Sequence, residues 1–265
     1  MCIRDRIGAI LTIAAAGSEM SNSSVITNEN GWLKRGYSNN LSRCKFAIMN
    51  PELTYTLPDY QTQSGCVDIM MHTLERYLNQ SGNMEMTDGI SEALLRTVMK
   101  NAKILKTDPN NYEARAEVMW AGSLSHNGLT GCGTDGGDWA SHQLEHELGG
   151  MFDVAHGAGL AAVWGSWARY VFHDRIDRFA KLAANVLMLT PTDDPTQNAL
   201  AGIKAMEAYF HSVGMPTSIH DLGIDLSEEQ ILTLADKCSF GRTRTIGIVR
   251  KLDTEDIANI YRTAK

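Results

Sequence analysis

The stretch Asp59-Tyr-Gln-Thr-Gln-Ser-Gly-Cys-Val-Asp68-Ile-Met-Met-His72-Thr-Leu-Glu-Arg-Tyr-Leu78 decides how this 265-residue chain is read. Pro58 stands just before it, with φ pre-set for a first helical turn, and Val67, Met70, Met71, Leu74 and Leu78 recur at helical spacing. The same texture continues to the C-terminus. It predicts helices over 59–78, 89–106, 112–127, 138–148, 157–172, 175–189, 195–213, 228–237 and 254–264. Several ends carry their own signals. Asp194-Pro195 is an N-cap followed by proline, Gly214 with Pro216 is a stop, and Ser227-Glu-Glu-Gln230 is a capping box.

Before Pro58 the texture is different. Apolar or β-branched runs at 7–13, 24–27 and 45–49 read as short strands, divided by polar Gly, Ser and Asn segments. The expected fold is mainly α: about 50 β-containing residues, then an all-helical domain of about 200. Taken alone, the weakly basic Met1 to Arg6, the apolar run Ile7 to Ala16 and the small residues Ala14-Ala15-Ala16-Gly17 also have the plan of a secretory signal peptide.

With 24 Lys+Arg against 31 Asp+Glu the net charge is −7, which argues against a nucleic-acid or anionic-membrane partner. No apolar run approaches the roughly 20 residues of a membrane span. Cys2, Cys44, Cys66, Cys132 and Cys238 are odd in number, scattered and without C-x-x-C, as expected of a reducing compartment, with the cytoplasm as default.

Eight histidines are present, and three fall within fifteen residues: His142-Gln-Leu-Glu-His146, then Val154-Ala-His156-Gly157. On a helix His142 and His146 share a face, so their imidazoles can converge on one ion. A second cluster, Asp68-x₃-His72, places a carboxylate and an imidazole one turn apart. Each pair alone is commonly a solvated or core-satisfied feature. Together they offer an N₃O donor set suited to Zn²⁺ or Fe²⁺ rather than Ca²⁺ or Mg²⁺. The string His142-x-x-Glu145-His146 also matches the inverted zincin pattern H-x-x-E-H, in which Glu145 would activate water for peptide hydrolysis. The bland reading of Glu145 is a solvated helix residue.

The ordered set Asp68-x₃-His72, His142-x₃-His146 and His156-Gly157 resembles the iron-dependent (group III) alcohol dehydrogenases, in particular their butanol dehydrogenase and broad aldehyde reductase branch. Thr12-Ile-Ala-Ala-Ala-Gly-Ser18-Glu19, Pro51-Glu-Leu-Thr-Tyr-Thr-Leu-Pro58, Val118-Met-Trp-Ala, Asn127-Gly-Leu and Asp138-Trp-Ala-Ser-His142 add to the likeness. It covers residues 7–265. The resemblance implies that Asp68, His72, His142 and His156 ligate one divalent metal, Fe²⁺ or Zn²⁺, and that His146 stands near the substrate as a proton relay. It implies that Thr12, Ser18, Lys45 and Leu53 line a nicotinamide cofactor, NADH or NADPH. The implied reaction is reversible reduction of a small, butanal-like aldehyde to a primary alcohol, with homo-oligomers the rule in the family. Trp139 and Trp120 are expected as pocket walls or, for Trp120 especially, as core.

The resemblance also reassigns the N-terminus: 7–13 becomes a buried strand and 12–18 a cofactor-contacting turn. Residues 7–56 are expected to be a remnant of an α/β dinucleotide-binding domain and 57–265 an all-helical metal-binding domain. Met1 to Arg6 matches nothing in the family and is expected to be a cloning or assembly scar. The family's Gly-rich pyrophosphate turn is missing, so a truncated, weakly active enzyme or a catalytically silent metal-binding fragment is also expected.

Overall fold

The computed structural model describes residues 7–79, 81–134 and 136–265; the expected scar at Met1–Arg6 lies outside them. Nine helices follow in order among the described residues: α1 (Asp59–Tyr77), α2 (Glu85–Thr107), α3 (Tyr112–His126), α4 (Ala140–Phe152), α5 (His156–Val171), α6 (Ile176–Asn185), α7 (Pro195–Ser212), α8 (Glu228–Cys238) and α9 (Thr254–Ala264). Their ends fall within four residues of those predicted. The capping chemistry explains the agreement. Asp194 accepts from the Thr196 and Gln197 N–H groups, with Pro195 in the first turn, and Ser227 with Gln230 closes a capping box. Asp253 and Asp256 close another at α9.

Helix α1 lies at the centre, packed on α2, α3 and α5. Val67, Met70, Met71, Leu74 and Leu78 are fully buried there, and the core continues through Leu95, Trp164, Trp167, Phe179, Phe210 and Tyr261. Where backbones come closest, glycine is required. A Cβ on Gly157 would lie 1.9 Å from the Ser64 carbonyl oxygen, and one on Gly65 2.3 Å from that of Ala14. Trp120 is neither core nor pocket wall: at 55% exposure it stands on the outer side of α3.

Among the described residues four short strands precede the helices. β1 (Gly8–Ile10) pairs in parallel with β4 (Phe46–Ile48). β2 (Ser23–Asn28) and β3 (Leu33–Ser38) form an antiparallel hairpin, with Ile26 opposite Arg35. The sequence does not announce β3. The run at 7–13, expected as a buried strand, is shorter and exposed: Ile10 is 61% accessible and Ile7, Ile13, Phe46 and Ile48 are open too. The reason is that β1 and β4 pair only with each other, so no further strand shields them among the described residues. Beyond β1 the chain turns inward. Leu11, Gly17 and Glu19 are buried, Gly17 lies against His126, and Ser123 donates to Glu19 at 2.5 Å. No described helix is long and apolar enough to cross a membrane. Cys44, Cys66, Cys132 and Cys238 are free thiols.

Candidate metal centre

Helix geometry places Asp68 and His72 one turn apart on α1, His142 and His146 one turn apart on α4, and His156 at the first turn of α5. Packing of α5 on α1 and α4 brings the two pairs and His156 together. Asp68 Oδ1 lies 3.4 Å from His72 Nε2, 3.7 Å from His156 Nε2 and 3.9 Å from His142 Nε2. Asp68, His142 and His156 each offer a ligand atom within 4.8 Å of the other two. Asp68 Oδ1 and His142 Nε2 are buried without any hydrogen-bond partner. A carboxylate oxygen and an imidazole nitrogen left unsatisfied in the interior cost about 1–3 kcal/mol each unless another group binds them. The residues fit a divalent ion of the Zn²⁺ or Fe²⁺ type.

Behind two of these histidines stand carboxylates that sequence reading does not single out as such. His142 Nδ1 donates to Glu75 Oε1 at 3.0 Å, and the His142 backbone N–H donates to the same oxygen at 3.1 Å. Glu75 Oε2 accepts the Trp139 N–H at 2.7 Å. Glu75 therefore caps the start of α4 from another helix, where Trp139 (φ 63°) and the Trp139 side chain itself supply no cap. Glu145, entirely buried, takes a very short hydrogen bond from His156 Nδ1 and is held by Lys34 Nζ at 3.2 Å from both oxygens. It is thus neither a solvated helix residue nor a free base for water, and the inverted zincin reading loses its catalytic glutamate. These pairs orient each ring so that Nε2 points at Asp68. The signal for Glu75 was its place seven residues after Asp68, on the same face of α1.

Charge in the centre follows the same contacts. Burial would raise the Asp68 carboxyl, but the His156 imidazole, His142 at 3.9 Å and the neighbouring His126 bring it down to about 2. Burial opposes a charged His142, and Asp68 and Glu75 override it, lifting that imidazole to about 9. Burial pushes His146 down to about 3 and holds His72 well below the ordinary range, so both are neutral at neutral pH.

The cluster opens into a cleft of about 600 Å³ walled by the β2–β3 hairpin, α4 and the turn after α8. His72, His142, His146, His156 and Trp139 line it, as expected, and so do Lys34, Arg35 and His126, which sequence reading missed. His126 packs against His72 at a tilt of 43°, with ring centroids 3.7 Å apart. Thr12, Ser18, Lys45 and Leu53 do not line this cleft. All four are exposed, Thr12 and Ser18 in the turn after β1, Lys45 entering β4 and Leu53 in a 3-10 turn at Pro51–Thr54. The lysine that reaches the cleft is Lys34 on β3.

Comparison with known proteins places the chain in a family. The model of the Fe-containing alcohol dehydrogenase family, C-terminal, matches residues 62–265. NADH-dependent butanol dehydrogenase A of Clostridium acetobutylicum is 37% identical over 257 residues, 97% of this chain and 65% of that protein. The NADPH-dependent aldehyde reductase of Escherichia coli K12 is 32% identical over 219 residues, 83% of this chain and 56% of that protein. The chain thus spans less than two thirds of the length of these curated relatives. The crystal structure of NADH-dependent butanol dehydrogenase A from Thermotoga maritima superposes with a TM-score of 0.92 at 35% identity, covering 98% of this chain and 66% of that one. With the family model matched over residues 62–265, which include Asp68, His72, His142 and His156, and a relative 37% identical over 97% of the chain, this protein belongs to the Fe-containing alcohol dehydrogenase family.

Proposed function

We propose that the chain serves the reversible reduction of an aldehyde to a primary alcohol by NADH or NADPH, with Asp68, His72, His142 and His156 holding Fe²⁺ or Zn²⁺. The observation that carries this reading is the pair of buried, unpartnered atoms Asp68 Oδ1 and His142 Nε2 facing each other across 3.9 Å at the floor of a cleft. The names of the relatives, butanol dehydrogenases and an aldehyde reductase, support the substrate class. A divalent ion here supplies Lewis acidity toward a carbonyl oxygen.

The chain's own side chains do the rest. Glu75 and Glu145 keep His142 and His156 aimed inward. Ala16, Val25 and Trp139 give the cleft apolar wall that excludes water from the reacting carbon. His146, neutral because it is buried, would take a proton from water at one ring nitrogen while its other nitrogen releases one toward the substrate oxygen. Thr12, Ser18, Lys45 and Leu53 contact the cofactor along the exposed β1–β4 side.

The test combines metal content with turnover. Purified wild type should hold one divalent ion per chain and Asp68→Ala none, and butanal should consume NADH or NADPH only in the wild type. Retention of the wild-type metal content by Asp68→Ala would overturn the reading.

A further inference from the structure

Three Lys and Arg side chains line the cleft, and two of them are already matched to buried carboxylates: Lys34 to Glu145 at 3.2 Å and Arg35 to Glu147 at 2.7 Å. The third, Arg244, forms no ion pair among the described residues. Its Nε donates to the Cys238 carbonyl at 2.9 Å, and its guanidinium carbon lies over the Phe240 ring, 3.5 Å from the centroid. Its two Nη groups make no hydrogen bond within the described chain.

The segment that carries it is fixed. Gly241 N–H donates to Asp236 O at 2.8 Å, and Thr243 and Arg244 N–H both donate to Ser239 O at 3.0 and 3.1 Å. These bonds hold Phe240, Gly241 and Arg242 in left-handed backbone. The guanidinium is thus oriented before any ligand arrives, with its stem and Nε engaged and its outer donors free. A planar fork of this kind is matched by an oxyanion, which takes two N–H donors at once.

We infer that Arg244 is an anion subsite of the cleft, receiving a carboxylate or phosphate group of the bound ligand. This rests on the cleft being the reaction site proposed above. The chemistry has two sources: a carboxylate at the far end of the aldehyde, as in an ω-oxo acid, or a phosphate of the dinucleotide. Lys34 and Arg35 do not compete for it, because Glu145 and Glu147 neutralise them.

Calorimetric titration of the purified chain, with and without Zn²⁺, separates the sources. The ligands are 4-hydroxybutanoate, 1-butanol, which has a methyl in place of its carboxylate, and inorganic pyrophosphate. The wild type should bind at least one anion more tightly than 1-butanol, and Arg244→Met should weaken that anion about 10-fold or more without altering 1-butanol. Arg244→Lys, which keeps stem and charge but not the fork, should recover part of the loss. A response confined to 4-hydroxybutanoate assigns the carboxylate, and one confined to pyrophosphate assigns the dinucleotide. The inference fails if Arg244→Met, still taking up metal like the wild type, binds both anions within about twofold of it. It fails equally if the wild type binds neither anion better than 1-butanol. A wild-type chain that takes up no Zn²⁺ overturns the proposed function instead, while the metal-free titrations still decide Arg244.

Discussion

Replacing Glu75 by Gln is the sharpest probe of how the centre is built. The carboxylate accepts three hydrogen bonds, two at Oε1 from His142 and one at Oε2 from the Trp139 N–H. Glutamine can keep the first two through its carbonyl oxygen, but its NH₂ then meets the Trp139 N–H donor to donor. One buried N–H is orphaned, which costs the metal-free chain about 1–3 kcal/mol. His142 also loses the negative charge that raises its basicity, and the loss of such an outer partner lowers metal affinity about 10- to 100-fold. That corresponds to about 1.4–2.8 kcal/mol. The two effects are read separately, the first from urea unfolding of metal-free protein and the second from competition with a chromophoric Zn²⁺ chelator at fixed pH. A Glu75→Gln chain that binds Zn²⁺ within about twofold of wild type would show that the carboxylate does not hold His142 in its ligating position.

Other perturbations follow from the packing. Gly157→Ala would drive a methyl into the Ser64 carbonyl oxygen, so thermal melts should show a loss of about 2 kcal/mol or more, with weaker Zn²⁺ uptake because His156 adjoins it; an unchanged melting temperature contradicts this close approach. Asp88 is buried on α2 between Arg178, at 2.6 Å, and Lys181. Burial would raise its carboxyl, but the hydrogen bonds from Arg178 and Lys181 bring it below the ordinary value. Its stabilisation is therefore present above the unfolded carboxyl pKa of about 4 and is lost as pH falls through the lower folded value. Asp88→Asn should cost about 3 kcal/mol at neutral pH, a gap that narrows only as pH falls below about 4 in urea titrations; a gap that stays undiminished well below that pH refutes the assignment. Ile10→Lys, on the open face of β1, should change stability by less than about 0.5 kcal/mol while reducing light scattering on concentration. A large destabilisation there would mean that Ile10 is covered.

The helices were legible because each carries local marks, a cap, a proline or an apolar stripe, that do not depend on the rest of the fold. Asp194-Pro195 and Ser227 with Gln230 act in the structure as they read in the sequence. The four expected ligands came from the family likeness, with the spacing of Asp68 and His72 in support, and the structure brings these side chains, carried on α1, α4 and α5, around Asp68. What was hidden depends on distant contacts. β3 has no clear alternation in Leu33-Lys-Arg-Gly-Tyr-Ser38 and exists by pairing with β2. Glu75 and Glu145 look like any solvated helical glutamate until α4 and α5 fold against α1. Lys34 and Lys45 both adjoin strands, and only the position of the hairpin over α4 sends the first to the cleft and leaves the second outside. The exposed Trp120 and Ile10 show the same limit, since an apolar residue states a preference for burial and the neighbouring elements decide whether it is met.

The Asp68, His142 and His156 cluster joins segments 74 and 88 residues apart in the chain (142 − 68 and 156 − 68). An ion bound there recognises only the folded arrangement, so it would add RT ln(1 + [M]/Kd) to stability, about 2.7 kcal/mol at a hundredfold excess over Kd. The unfolded fraction open to proteases would fall by the same hundredfold. With such an ion bound, the cellular lifetime of the chain would depend on metal supply as well as on its sequence.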